Sequence, residues 1–108
     1  MAKENLEREI QEFQISEQAL QNLLLQKQAF QMELTETENA LKEVKNTKED
    51  VFKIVGQIML KADKQETEKE LSHKKDILQL RLNSIEKQEK SVKDKVESLR
   101  EELSKKIK

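Results

Sequence analysis

The sequence predicts an all-α dominated protein: a long antiparallel two-helix coiled-coil hairpin with a short β-hairpin at the bend. Three observations lead to this fold class. Apolar residues recur every seven positions in two arms, which is typical of coiled coils. Between the arms lies the β-branched segment "VFKIVGQIML", which contains Gly56, the only glycine. The arms also carry opposite net charge, as expected if they lie side by side.

The composition favours a narrow helical seam over a compact globule. Only 34% of the 108 residues are hydrophobic and 40% are charged, whereas globular domains are nearer half apolar. A coiled-coil seam needs only a few apolar positions in every seven. The mean hydropathy of -0.92 also fits intrinsic disorder. Heptad periodicity, balanced charge, a single glycine and no proline argue against disorder.

The first arm is predicted to be a helix over residues 1–46. Its strongest column of residues at heptad spacing is Leu6, Phe13, Leu20, Lys27, Leu34 and Leu41. Flanking residues are Ile10 and Leu24 on one side and Leu23, Phe30 and Val44 on the other. Glu, Gln, Lys and Leu dominate the arm and favour helix. The weak helix formers Asn46 and Thr47 indicate where the helix ends.

The central segment predicts a β-hairpin over residues 51–61 that serves as an oligomerisation site. Val51, Lys53 and Val55 alternate with Phe52 and Ile54 at the period of a strand. Glycine permits the turn, and "QIMLKA" follows as the second strand. An isolated two-stranded hairpin is at best marginally stable, and open apolar edges attract other strands. The predicted oligomerisation residues are Val51, Phe52, Ile54, Val55, Gly56, Ile58, Met59 and Leu60. The alternative is that this segment folds back on its own helices.

The second arm is predicted to be a helix over residues 64–108. Asp63 or Thr67 is expected to cap its start. The main column is Leu71, Leu78, Ile85, Val92 and Leu99, accompanied by Leu82, Val96 and Leu103, and Ile107 continues the apolar face. These residues match the heptad stripe of the first arm in spacing and length.

A turn centred on Gly56 predicts which residues of the two arms face each other. Partners in an antiparallel hairpin should have numbers that add to about twice 56, and Leu34 with Leu78 and Leu41 with Leu71 obey this rule. Lys27 should face Ile85, with its ammonium reaching Glu86 or Glu89 and setting the register. Residues 1–50 hold 11 acidic and 6 basic side chains, and residues 61–108 hold 11 and 14. This opposite balance also favours antiparallel arms.

Several function classes are disfavoured by the residue content. A formal charge of -1 gives no basis for binding nucleic acid or an anionic membrane. No cysteine is present, and His73 has no second histidine, so no metal or other cofactor is expected. One glycine cannot form a phosphate-binding loop, and carboxylates on solvated helices lack a pocket for catalysis. The start "MAKENLEREI" lacks an apolar signal core, and the longest apolar run, "VFKIVGQIML", is too short to span a membrane. We therefore expect a cytoplasmic protein, and the lack of a catalytic site predicts that it is not an enzyme.

Beyond these patterns, the sequence resembles the β-type subunit of archaeal prefoldin. The resemblance rests on "DVFKIVGQIML", then "ADKQETEKEL" and "LQLRLNSIEKQEKSVKDKV". Upstream, "EFQ…QKQ…ELTETENALKEV" is similar to the first helix of that family. The similarity covers nearly the whole chain, which is expected to be a single prefoldin-like domain over residues 1–108. Phe52 stands where the family usually has tyrosine.

The resemblance implies an ATP-independent molecular chaperone that holds unfolded proteins and delivers them to a group II chaperonin. Implied partners are an α-type prefoldin subunit, further copies of the chain, or both, with a hexamer expected alongside α-type subunits. Clients would be held at the distal tips of the coiled coil. Pairing across the fold places six apolar residues there: Leu6, Ile10, Phe13, Leu99, Leu103 and Ile107. The alternative from another class is a structural coiled-coil tether that holds no clients.

Overall fold

The structure, a computed structural model, describes residues 2–107 as two long helices joined by a two-stranded sheet. Helix α1 spans Ala2–Asn46 and helix α2 spans Lys64–Ile107. Between them, strands β1 (Val51–Val55) and β2 (Ile58–Ala62) pair antiparallel. The predicted fold class is confirmed. Met1 and Lys108, which the sequence assigned to the two helices, lie outside the described residues.

The chain divides into two compact units. One contains the chain up to Ala29 together with the chain from Asn83 onward, and we call it the arm-end unit. The other contains Phe30–Leu82 and includes the sheet, and we call it the hairpin unit. The expectation of a single domain over the whole chain stays a prediction.

The core of the hairpin unit is a cluster of leucines between its two helical segments. Leu34, Leu78 and Leu82 are buried together, and Phe30 packs against them. The Arg81 guanidinium lies 5.8 Å from the centroid of the Phe30 ring, within the range of a cation–π contact. Since Leu34 and Leu78 were predicted to face each other, this cluster confirms the antiparallel register of the seam.

The second seam column of α1 contains two buried polar residues. Counting in sevens from Leu23 through Phe30 places Ser16 and Thr37 in this column, and they are only 6% and 3% exposed. The Thr37 hydroxyl donates a hydrogen bond to the Glu33 carbonyl at 2.8 Å, which satisfies it within its own helix. Leu24, expected beside the seam, is 40% exposed instead. The heptad register, rather than apolarity, therefore determines which residue is buried.

In the arm-end unit, the seam combines apolar residues with ion pairs between the two helices. Ile85, Val96 and Leu103 are buried. The predicted partner of Lys27 is confirmed, because its Nζ lies 3.1 Å from Glu89 Oε2 and both side chains are mostly shielded from solvent. The other helix-to-helix ion pairs are Glu9–Lys106, Glu12–Lys95 and Glu17–Arg100.

The junction between the helices and the sheet is held by local hydrogen bonds. Lys64 Nζ donates to the carbonyl of Thr47 at 2.9 Å, which ties the start of α2 to the end of α1. Both the amide and the hydroxyl of Thr67 donate to the carbonyl of Asp63. Asp63 therefore lies at the N-cap position of α2, one of the two capping residues expected from the sequence.

We expect Leu78→Ala to destabilise the protein strongly. Leu78 is 2% exposed, so its truncation should leave a cavity and cost about 2–5 kcal/mol in the free energy of unfolding. Leu80, two residues away and 69% exposed, provides the matched control, and Leu80→Ala should change stability by less than about 0.5 kcal/mol. Urea unfolding followed by circular dichroism measures both. Equal losses in the two variants would contradict the assigned seam.

We expect the Lys27–Glu89 pair to contribute more to stability than a pair on the surface. A double-mutant cycle with Lys27→Met and Glu89→Gln should give a coupling free energy of about 1 kcal/mol, since the pair is partly shielded from water. The control is Glu12–Lys95, whose side chains are both more than half exposed. Its coupling should stay below about 0.5 kcal/mol. A larger coupling at the exposed pair would disprove the role given to Lys27.

Candidate functional site

The turn of the β-hairpin depends on its glycine. Strand pairing runs from Val51 opposite Ala62 to Val55 opposite Ile58, so Gly56 and Gln57 form a two-residue loop. Gly56 has a φ of 63°, and no other described residue has a positive φ. A positive φ at the first of two central positions is the pattern of a type II′ turn, in which glycine is preferred. The turn predicted at Gly56 is therefore confirmed, with its centre between Gly56 and Gln57.

Cross-strand register divides the hairpin side chains between two faces. The Phe52 face consists of Phe52, Ile54, Met59 and Lys61. The Val51 face consists of Val51, Lys53, Val55, Ile58, Leu60 and Ala62. Each face therefore combines several apolar side chains with one lysine.

Both faces of the hairpin are open to solvent in the single chain. The large apolar side chains from Phe52 to Leu60 are between 51% and 69% exposed. The alternative in which this segment folds back on its own helices is therefore wrong. Contiguous exposed apolar surface is typical of protein interaction sites. Open strand edges add unpaired backbone groups that a further strand can hydrogen-bond.

The lysine of each hairpin face forms an ion pair near the base of the hairpin. Lys53 Nζ lies 2.9 Å from Glu70 Oε2 on α2. Lys61 Nζ lies 3.6 Å from Asp50 Oδ2, just before β1. All four side chains are more than half exposed, so these pairs contribute little to stability. They do keep the charges at the base and leave the turn-proximal pairs Ile54–Met59 and Val55–Ile58 free of charge.

Of the six predicted tip residues, four are brought together around one open groove. Ile10, Phe13, Leu103 and Ile107 line a groove of about 470 Å³ in the arm-end unit. Within it Leu103 is 7% exposed and Ile107 is 66% exposed, while Ile10 and Phe13 are half-buried. The groove therefore has an apolar floor and an apolar rim.

The remaining two tip residues lie outside this groove. Leu6 is half-buried and lines a second opening of about 490 Å³ with Lys3, Asn5 and Lys106. Leu99 is half-buried and lines neither opening. The structure thus places five of the six predicted tip residues on open surface cavities of the arm-end unit.

Arginine and glutamate residues border the groove. The Arg100 guanidinium lies 5.8 Å from the Phe13 ring centroid, and its Nη2 atom is 3.9 Å from Glu17 Oε2. Both residues also line the groove. An apolar cavity with a few polar groups at its edge is typical of a binding site.

Glu9 was not predicted as a functional residue. Its Oε1 accepts a hydrogen bond from Lys106, but its Oε2 is buried without a hydrogen-bond partner among the described residues. A buried polar atom without a partner destabilises its surroundings. Counting back seven from Ser16 reaches Glu9, so heptad spacing places it in the seam. Glu9 is therefore a seam residue whose carboxylate pairs with Lys106 through only one of its two oxygens among the described residues.

The described residues contain neither a metal-binding set of side chains nor a membrane-spanning helix. Among residues 2–107, no three His, Asp or Glu side chains converge as a set able to hold a metal ion. His73 is exposed on α2. No helix within that range is long and apolar enough to span a membrane.

Comparisons with known proteins agree with this geometry. A family model described as "Prefoldin subunit" matches residues 7–108. "Prefoldin subunit beta" of Thermococcus onnurineus is 38% identical over 89 residues, which is 81% of this chain and 77% of that protein. The protein of the same name from Thermococcus kodakarensis is 40% identical over 85 residues, covering 77% of this chain and 73% of that protein.

A solved structure shows the same fold. The crystal structure of the prefoldin beta subunit from Thermococcus strain KS-1 matches with a TM-score of 0.84 and 32% identity, over 94% of this chain and 90% of that chain. Prefoldin subunits are non-enzymatic components of an oligomeric chaperone, so this chain is a chaperone subunit and not an enzyme. The residues that carried the resemblance, the family match and the shared fold agree: the chain belongs to the prefoldin family.

Proposed function

We propose that the chain is a subunit of a cytoplasmic, ATP-independent holdase that assembles through its β-hairpin and holds unfolded proteins at its arm end. Its assembly partners would be α-type prefoldin subunits, further copies of itself, or both, in a hexamer when α-type subunits are present. Held proteins would pass to a group II chaperonin. The observation that carries this proposal is the open apolar groove formed by Ile10, Phe13, Leu103 and Ile107.

The exposed hairpin supports the proposed assembly. A two-stranded sheet with apolar side chains on both faces is not independently stable in water. Hairpins of other subunits offer both missing elements: strands to pair with its edges and apolar side chains to cover its faces. We therefore assign oligomerisation to Val51, Phe52, Ile54, Val55, Gly56, Ile58, Met59 and Leu60.

The form of the groove supports the proposed holding of clients. Because it is open and shallow, it can accept apolar side chains of many shapes without selecting one sequence. A single groove of this kind binds weakly, but several arms in one oligomer raise the effective affinity by avidity. We assign holding to Leu6, Ile10, Phe13, Leu99, Leu103 and Ile107.

Release to a chaperonin requires no nucleotide in this scheme. Contacts that are individually weak can break one after another, so a second protein with its own apolar surface can displace the arms stepwise. The single glycine of the chain leaves no phosphate-binding loop through which ATP could drive release.

The test is suppression of aggregation without ATP. Guanidinium-denatured lysozyme and one unrelated denatured protein are diluted into buffer with the assembled oligomer, and light scattering is followed. A holdase should suppress scattering of both clients at near-stoichiometric amounts. If scattering is unchanged for both, the holdase assignment fails and a structural tether describes the chain better.

A further inference from the structure

The outward face of α1 in the arm-end unit carries no charge. This face consists of the helix positions opposite the seam columns, from Gln11 to Ala29. Its nine residues are all exposed, and Gln14 among them also lines the groove: Gln11, Gln14, Ile15, Gln18, Gln21, Asn22, Leu25, Gln28 and Ala29. In a chain in which 40% of residues are charged, an exposed face of this length without charge is unexpected.

The few charges in the same segment are directed to the partner helix. Only Glu12, Glu17 and Lys27 are charged among the 20 residues from Ile10 to Ala29. Each of the three forms an ion pair with α2. The segment therefore uses its charges to hold the two helices together and leaves only amide and apolar groups outward.

The corresponding face of α2 is different. Between Asn83 and Glu101, nine positions of α2 point away from the seam. Five of them are charged: Lys87, Lys90, Asp94, Glu97 and Glu101. Absence of charge is therefore a property of α1 alone and not a general feature of the arm-end unit. A chain that needed only solubility would gain from charges on both helices.

We infer that this uncharged face of α1 is a second holding surface, which takes extended polypeptide segments poor in charge. The inference rests on the holdase function proposed above. Glutamine side chains offer both hydrogen-bond donors and acceptors, so they can satisfy the backbone groups of an unfolded chain. Ile15 and Leu25, 70% and 65% exposed, provide apolar contacts between them.

Other occupants fit the face less well. Ile15 and Leu25 are ten residues apart, whereas a packed helix requires apolar residues every three or four positions. A second copy of the arm would therefore find no continuous seam. An anionic partner such as nucleic acid or a membrane would find no cation there. An extended chain needs neither a continuous apolar seam nor a cation, since its backbone can hydrogen-bond to the amide side chains between separated apolar contacts.

Absence of charge also lowers the cost of binding an unfolded segment. A charged side chain covered by an apolar segment loses hydration, which is unfavourable unless an opposite charge pairs with it. Amide groups can exchange water for client hydrogen bonds at little net cost. The uncharged face would enlarge the surface that contacts a client beyond the groove of Ile10, Phe13, Leu103 and Ile107.

The test compares two charge-neutral double variants in the assembled oligomer. Ile15→Lys with Leu25→Glu introduces charge on the uncharged face. The matched control, Ser91→Lys with Ser98→Glu, introduces the same pair of charges on the outward face of α2. Binding of fluorescently labelled, denatured lysozyme is measured by anisotropy, and oligomer mass by light scattering. We expect roughly tenfold weaker binding for the α1 variant because avidity multiplies the loss in each arm, while the control matches wild type.

The outcomes separate this inference from the proposed function. If the α1 variant binds like wild type while removal of the arm ends abolishes binding, the second holding surface is disproved. The proposed holdase function would be unaffected by that result. No binding by the wild-type oligomer would overturn both. A changed oligomer mass in the α1 variant would overturn the inference in favour of an interface between copies. A photo-reactive residue at Leu25 should cross-link the client, and one at Ser91 should not.

Discussion

The double variant Ile54→Lys with Ile58→Lys should form smaller species than the wild-type protein and keep its helical content. The two side chains lie on opposite faces of the hairpin beside the turn, and they are 69% and 62% exposed in the single chain. Burial of each isoleucine in an assembly contributes about 1.5–3 kcal/mol. Loss of both should weaken each subunit contact by roughly two to four orders of magnitude. Light scattering measures the mass, and circular dichroism measures the helix content.

Matched lysines on the helices control for the added charge. Met32→Lys with Leu80→Lys replaces side chains that are 66% and 69% exposed, outside the hairpin. This variant should keep the wild-type mass. If the hairpin variant also keeps it, or if both variants dissociate equally, the assignment of assembly to the hairpin is wrong.

Deletion of residues 1–10 together with 99–108 should remove most of the ability to suppress aggregation. The deletion takes away five of the six assigned holding residues, including Leu103 and Ile107 from the groove. It leaves the hairpin unit and the core of Leu34, Leu78 and Leu82 unchanged. Because assembly is assigned to the hairpin, the number of subunits in the oligomer should stay the same.

The hairpin variant provides the complementary control. Monomeric chains with intact arm ends should also hold clients poorly, since each arm alone binds weakly. Full suppression by the deleted oligomer would disprove the assignment of holding to the arm end. Full suppression by the monomeric variant would instead disprove the multivalent mechanism.

The hairpin could be predicted from the sequence because its signals are local. "VFKIVGQIML" alternates at the period of a strand, and within this segment Gly56 is the residue that takes positive φ without strain. The second strand ends at Ala62, as the predicted segment "QIMLKA" does, and one residue beyond the hairpin bounds of 51–61; it begins at Ile58, because Gln57 belongs to the turn. Strand ends depend on pairing, and Ala62 is included because it lies opposite Val51.

The seam could be predicted only in part, because burial in a coiled coil follows register more than apolarity. Tracking apolar residues leads to Leu24, which is 40% exposed, and overlooks Ser16 and Thr37, which are buried. Strict counting in sevens from Leu23 and Phe30 would have found both. A threonine can occupy such a position because its hydroxyl bonds to its own helix, as Thr37 does to Glu33.

The sequence predicted the apolar residues of the arm-end groove, but only the three-dimensional structure identified the polar residues at its border. Pairing across the fold predicted that Ile10, Phe13, Leu103 and Ile107 lie close together, and they line one groove. Sequence spacing did not indicate that Arg100 would cover Phe13 and contact Glu17. Long arginine side chains reach several neighbours, and the structure decides which of them they contact.

Hydrogen exchange of the assembled oligomer, measured with and without a denatured client, tests whether assembly and holding reside in different parts of the chain. We expect the client to slow exchange of backbone amides in residues 6–13 and 99–107. Exchange in residues 51–62 should be slow already, because assembled strands are paired, and it should not change on addition of client. Slowed exchange confined to the hairpin, or no change anywhere while the client is bound, would show that clients are not held at the arm end.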